Sequence, residues 1–202
     1  YCSFRAHRSI PGLGGAFTTK AMAGGGALID WGVHFIDLIF FCIAEPAVRT
    51  VSAATYCKLA DPMENYTYTD MWAGPPDYSG TCDVEEFVTG LVRTEGPTIS
   101  MNGAWAQNIG ERQMYIEFLG TKAGIKLDYG GNFVLYSTKN GMLTETKFDY
   151  PTQNMYEVEI RDFLLKAPQG IKTKGNIDHA ILSSRLMDMI YKSAELGEEV
   201  KA

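Results

Sequence analysis

The chain has 202 residues, 46% hydrophobic and 21% charged. That is the make-up of an ordinary globular protein, enough for one large domain or two small ones and for burying about 70% of its unfolded surface. A net charge of −6 without any basic cluster excludes a nucleic-acid surface. Cys2, Cys42, Cys57 and Cys82 have no CxxC or zinc-like spacing, so they read as buried free thiols in a reducing, cytoplasmic setting. The longest apolar run, Val33–Ile43, is broken by His34 and Asp37 and is too short to span a bilayer.

The chain opens at Tyr1 inside a strand pattern covering residues 1–7, which suggests that an upstream part is missing. Ile10-Pro11-Gly12 and a loose glycine loop end that strand, and Arg8 sits at its mouth. Then comes Gly24-Gly25-Gly26, followed by a helix that is apolar almost all the way round until Glu45-Pro46 stops it. Only Asp30, His34 and Asp37 interrupt it, at spacings of four and three that place them on one stripe. Such a stripe on an otherwise buried helix must meet partners, water or a ligand. A satisfied polar network, a catalytic or ligand site, and a metal site all fit it. Asp beside His is a pairing suited to proton transfer. The glycines permit close backbone approach, and the helix start behind them offers free N–H groups.

Residues 47–57 predict a strand. Residues 61–80, with three prolines, three tyrosines and Trp72, predict an irregular stretch that is either a lid or decoration. From residue 81 to 148 the period is two. Strands are expected at 83–92, 98–105, 112–119, 124–128, 133–137 and 143–148, with Asn140-Gly141 as the clearest hairpin turn. Consecutive hairpins predict a mainly antiparallel meander packed on helices by one face. Helices follow at 154–166 and from an Asn176 N-cap to Gly197, with His179 read as exposed or capping. The expected fold class is α+β, one domain over 1–202. Gly12-Leu13-Gly14-Gly15-Ala16-Phe17 and Gly24-Gly25-Gly26-Ala27-Leu28-Ile29 both fail the dinucleotide fingerprint at their last position, and no strand–turn–helix repeat follows.

Gly24-Gly25-Gly26-Ala27-Leu28-Ile29-Asp30-Trp31-Gly32-Val33-His34-Phe35-Ile36-Asp37 closely resembles the glycine-rich signature in the second domain of Gfo/Idh/MocA oxidoreductases. Arg8-Ser9-Ile10-Pro11-Gly12, Asp83-Val84-Glu85-Glu86-Phe87-Val88-Thr89-Gly90, Glu117-Phe118-Leu119-Gly120-Thr121-Lys122-Ala123-Gly124 and Ser193-Ala194-Glu195-Leu196-Gly197-Glu198-Glu199-Val200 are similar to that family's flanking segments, in the same order. The resemblance implies an open antiparallel sheet with helices on one face, as in the C-terminal domain of glyceraldehyde-3-phosphate dehydrogenase. It implies a substrate and assembly half of an enzyme that oxidises a sugar, polyol or related secondary alcohol with NAD or NADP. The nucleotide-binding Rossmann half and its lysine lie outside this chain, which alone would be inactive and bind no cofactor. It further implies His34 as general acid/base and Asp30 as its orienting or hydroxyl-binding partner. Asp37 would support the site, Arg8, Lys20 and Trp105 would border the pocket, and Gly24, Gly25 and Gly26 would lie near nicotinamide or substrate. A small-molecule substrate and a second copy docked through the free sheet face are the expected partners, with no nucleic acid and no membrane. The other class open to the sequence is a sugar-binding or scaffold relative that kept the domain without the chemistry.

Overall fold

The computed structural model describes residues 1–173 and 175–202. The strands are β1 (Cys2–Arg5), β2 (Val48–Tyr56), β3 (Phe87–Thr94), β4 (Thr98–Ala104), β5 (Gln113–Leu119), β6 (Gly124–Asp128), β7 (Phe133–Lys139), β8 (Met142–Lys147) and β9 (Val200–Lys201). The helices are α1 (Lys20–Ala23), α2 (Val33–Ile43), α3 (Met155–Lys166) and α4 (Ile177–Leu196).

The strands form one sheet in the order β8-β7-β6-β5-β1-β4-β3-β2-β9. The β2–β3–β4 and β5–β6–β7–β8 runs are antiparallel meanders, as period two and the turn residues predict. Asn140 and Gly141 both take positive φ, 52° and 76°, the pair of left-handed conformations that a two-residue hairpin needs. The order departs from a simple meander at β1, which slots between β4 and β5 and runs parallel to β4. Cys2, Ser3 and Phe4 are all fully buried, so this short strand is the sheet's centre. Phe4 reaches so far across that a Cβ on Gly103 would lie 1.8 Å from its ring, and one on Gly32 3.2 Å from it.

Helices α2 and α4 cover one face. Phe35, Ile36, Ile39 and Phe40 of α2 and Leu186 and Ile190 of α4 close over Val51, Val88, Val92, Met101 and Ile116. Taken from α1 onward, Lys20–Ile43 is long and apolar enough to cross a membrane by composition. Within it, Leu28, Phe35, Ile36, Ile39 and Phe40 are instead part of the core of this sheet packing, while Met22 and Phe41 are exposed. A second cluster (Ile10, Leu13, Ala27, Ala60, Tyr66, Val84, Trp105, Ala106) lies beneath the long stretch before β3 and pins that stretch to the body. Helix α3 behaves otherwise: it forms where its period predicts, with Asn154 as N-cap, yet buries none of its residues.

Three local expectations are corrected. The strand expected at 83–92 begins only at Phe87, because Val84, Glu85 and Glu86 are all buried and the two carboxylates bind backbone. Glu86 accepts N–H bonds from Lys58 (2.7 Å), Leu59 (2.5 Å) and Ala60 (3.3 Å). Cys42 is exposed, not buried. His179 is not an exposed cap but a nearly enclosed ring with its side chain 5% accessible. Its Nδ1 lies 2.6 Å from Glu45 Oε1 and its Nε2 2.9 Å from Asp37 Oδ1, which joins α4 to α2. The sequence hides this because Glu45 is distant in the chain. It reaches His179 only because Ala44 and Glu45 both turn into the left-handed region, at φ 60° and 52°.

The free helix start also proves to be taken. Glu85 Oε2 accepts from Gly26 N–H and Oε1 from Leu28 N–H, each at 2.9 Å, and the Glu85 carbonyl accepts from Ala27 N–H at 3.0 Å. Tyr191 of α4 donates its hydroxyl to Oε1 at 2.8 Å. The glycines make room for this: a Cβ on Gly26 would stand 1.9 Å from the Glu85 carbonyl oxygen, and one on Gly25 2.1 Å from the Tyr191 hydroxyl.

Two predictions result. Gly26→Ala should lower unfolding stability by about 2–3 kcal/mol in urea, because the backbone carbonyl it meets has little room to yield. Burial works against a charge on His179, but the Glu45 hydrogen bond and the Asp37 charge more than offset it, and the pKa is raised above 6.5. A raised His pKa adds stability that is fully present below the unfolded value and is lost as pH climbs through the folded one. The stability difference between wild type and His179→Gln should therefore be about 1–2 kcal/mol at pH 5.5 and shrink above neutrality, as read from unfolding curves across pH.

Candidate active site

The helix bearing the polar stripe does not start as a regular α-helix. Leu28–Gly32 is a π-helical turn that runs on into α2, a feature that often marks functional positions. Asp30 sits in this turn and His34 in the first turn of α2, and both line a cleft of about 420 Å³. Trp31, Phe35, Trp72, Arg112, Met114 and Tyr129 complete its wall. The stretch before β3 supplies Trp72, which meets Phe17 edge-on at 4.9 Å. Beyond the sheet, Tyr129 stacks on Phe35 at 4.9 Å, and the Arg112 guanidinium lies over the Trp31 ring at 5.2 Å.

Asp30 is half buried, and its Oδ2 accepts the indole N–H of Trp105 at 2.8 Å. Burial raises its pKa from the ordinary carboxylate value, while the Trp105 bond and the nearby His34 oppose that rise. His34 is exposed to the cleft, and its ring has no hydrogen-bond partner among the described residues. The result is an imidazole open to a ligand beside a carboxylate held by one oxygen, the other oxygen having no donor among the described residues. Among the described residues, no group of three His, Cys, Asp or Glu side chains is placed to hold a metal.

Of the residues singled out from sequence, Asp30, His34 and Trp105 therefore meet, with Trp105 acting from behind as a fully buried donor to Asp30. Asp37 does not join them. Three helical steps carry it about 60° round from His34 and one turn on, where its carboxylate pairs with His179. Arg8 is engaged elsewhere: its Nε and Nη2 bond Asn108 Oδ1 at 3.1 and 2.6 Å, and its guanidinium lies 5.7 Å from the Tyr66 ring centroid. Lys20 opens α1 with its backbone N–H on Asp83 Oδ1 at 2.6 Å, and is not among the cleft residues. Gly24, Gly25 and Gly26 likewise stand apart from the cleft, and the Glu85 carboxylate occupies the N–H groups there. That negative charge does not suit a pyrophosphate, so this helix start is not a phosphate cradle. Sequence reasoning missed Arg112, Tyr129 and Glu85. Arg112 and Tyr129 flank β5 and β6 far along the chain, and only the sheet order brings them to α2.

Trp105→Phe removes the N–H that favours ionised Asp30. The Asp30 pKa should then rise further, observable by carbon-13 NMR titration of its carboxyl.

A family model described as GFO/IDH/MocA C-terminal domain matches residues 1–126. D-glucoside 3-dehydrogenase of Escherichia coli K12 is 27% identical over 195 residues, covering 95% of this chain and 53% of that protein. A putative UDP-kanosamine synthase oxidoreductase subunit of Amycolatopsis mediterranei S699 is 33% identical over 103 residues, half of this chain and 28% of that protein. Among solved structures, aldose-aldose oxidoreductase from Caulobacter crescentus, complexed with glycerol, superposes with a TM-score of 0.74 at 16% identity, over all of this chain and 54% of that one. Levoglucosan dehydrogenase in complex with NADH and levoglucosan gives 0.75 at 16% identity, over all of this chain and 57% of that one. The overall fold is thus shared with these solved structures. The chain spans about half the length of the relative that matches nearly all of it. With the family model covering well over half of its residues, the chain belongs to the GFO/IDH/MocA C-terminal domain family.

Proposed function

We propose that this chain is the substrate-facing half of an NAD(P)-dependent dehydrogenase that interconverts a secondary hydroxyl of a sugar or related polyol with a ketone. The observation that carries the reading is the unpartnered His34 ring beside Asp30 in an aromatic-walled cleft. The names of the relatives, a glucoside 3-dehydrogenase and a levoglucosan dehydrogenase, agree with it.

The roles follow from the geometry. Trp31, Trp72 and Tyr129 give the cleft apolar walls suited to the C–H side of a sugar ring, while Asp30 can accept a hydrogen bond from a hydroxyl through its other oxygen. His34 takes the proton of the reacting hydroxyl in one direction and returns it in the other, a role for which an imidazole is suited. Asp30 lies close enough to His34 for their charges to interact. The dinucleotide is held outside this chain, whose glycine-led turn presents a carboxylate where a phosphate would need N–H donors.

The sheet face opposite α2 and α4 is our proposed surface for self-association. Tyr56 and Phe87 stack there at 5.6 Å, amid half-exposed Leu91 and Tyr115, and a broad strand surface can pair about a two-fold axis.

His34→Asn in the full-length protein should cut turnover with nicotinamide cofactor by about 10²-fold or more while the fold, read by circular dichroism, is unchanged. Turnover near that of wild type would reject His34 as the acid/base.

A further inference from the structure

Cys57 follows β2 directly, and Cys82 lies shortly before β3. Tyr56 pairs with Phe87, and the Glu86 N–H donates to the Tyr56 carbonyl at 2.9 Å, so the two segments run side by side at the sheet's end. This brings two sulfurs 25 positions apart in the chain to within 4.0 Å of each other. Cys57 Sγ is also 3.9 Å from the Cys82 carbonyl oxygen. Both residues are half buried, so a small oxidant can reach them. A disulfide requires an S–S distance of about 2.05 Å, so the sulfurs must close by roughly 2 Å.

We propose that Cys57 and Cys82 form a dithiol that hydrogen peroxide converts reversibly into an intramolecular disulfide. The Cys57 thiolate attacks one peroxide oxygen, the O–O bond breaks, and the departing hydroxide takes up a proton to become water. Cys57 is then a sulfenic acid. Cys82 Sγ attacks that sulfur, the S–S bond forms, the S–O bond breaks, and the hydroxyl leaves as water with the Cys82 proton. In sum, two thiols and one peroxide give one disulfide and two waters, with both sulfurs oxidised and both oxygens reduced. Cys57 is the attacking sulfur because its hydrogen bond with Cys82 lowers its pKa, against burial and the nearby Glu86, Asp61 and Glu85 charges. Cys82 is shifted the other way, by the same hydrogen bond and by burial. The remaining thiols are set apart: Cys2 is buried with its pKa pushed up to about 12, and Cys42 on α2 has a raised pKa and no second sulfur beside it among the described residues.

The bond would close the whole stretch that bears Trp72 into a covalent ring. It would anchor that ring next to Glu85, which holds the start of the helix carrying Asp30 and His34. This assignment does not depend on the dehydrogenase reading.

The test treats the intact protein with hydrogen peroxide, alkylates the remaining thiols with iodoacetamide and maps the digest by mass spectrometry. Of the four thiols in this chain, two should remain free. The Cys57 and Cys82 peptides should appear as one linked species, two hydrogen atoms lighter than their sum, and separate again with dithiothreitol. Cys42→Ser should leave the link intact, whereas Cys57→Ser should abolish it. Recovery of Cys57 and Cys82 alkylated, singly over-oxidised or linked to Cys42 would overturn the proposal, and the wild-type digest gives that answer even if a variant fails to fold.

Discussion

A carboxylate can sit almost without water only where hydrogen bonds replace its hydration, and Glu85 meets that condition at the start of the glycine-led helix. Its two oxygens accept N–H groups from Gly26 and Leu28 and the hydroxyl of Tyr191, so one side chain joins the segment entering β3, the π-helical turn and α4. The positive end of the helix dipole favours the negative charge at that point. Three structural facts depend on it. Gly25 and Gly26 must lack side chains, the strand pattern must break before Phe87, and the helix must lie where Asp30 can reach the indole of Trp105.

The other end of the same helix is tied differently. There a buried imidazole faces two half-exposed carboxylates, Asp37 and Glu45, and draws α4 against α2. The stripe of Asp30, His34 and Asp37 is thus divided. Its first two members open onto a cleft, and its third supports the fold. A polar network, a catalytic or ligand site and a metal site were alternatives for the stripe as a whole, and Asp37 falls to the network because the helix turns it away from His34 toward His179.

Much of the fold was legible because local chemistry and tertiary structure agree. Period two marks β4 to β8, Asn140-Gly141 turns the last hairpin, and Asn154 and Asn176 cap α3 and α4 with their side-chain oxygens. The misread polar residues share one cause. His179, Glu45, Glu85 and Glu86 are polar residues whose partners are far off in sequence, and spacing rules see only neighbours within a turn or a hairpin. The place of β1 was illegible for the same reason. A four-residue strand carries no mark of which neighbours it will have, and its parallel pairing to β4 spans about a hundred residues.

By itself the sequence determined the family, through an ordered set of motifs, and the pairing of Asp30 with His34, through helical periodicity. It also determined that no dinucleotide fingerprint is present. Only the tertiary structure decided that the glycines serve Glu85, that Trp105 holds Asp30, and that Arg112 and Tyr129 wall the cleft opposite His34. The same holds for the meeting of Cys57 and Cys82. Motifs and periodicity are properties of short windows of chain, whereas a cleft or a thiol pair is set by strand order and register, which long-range burial selects.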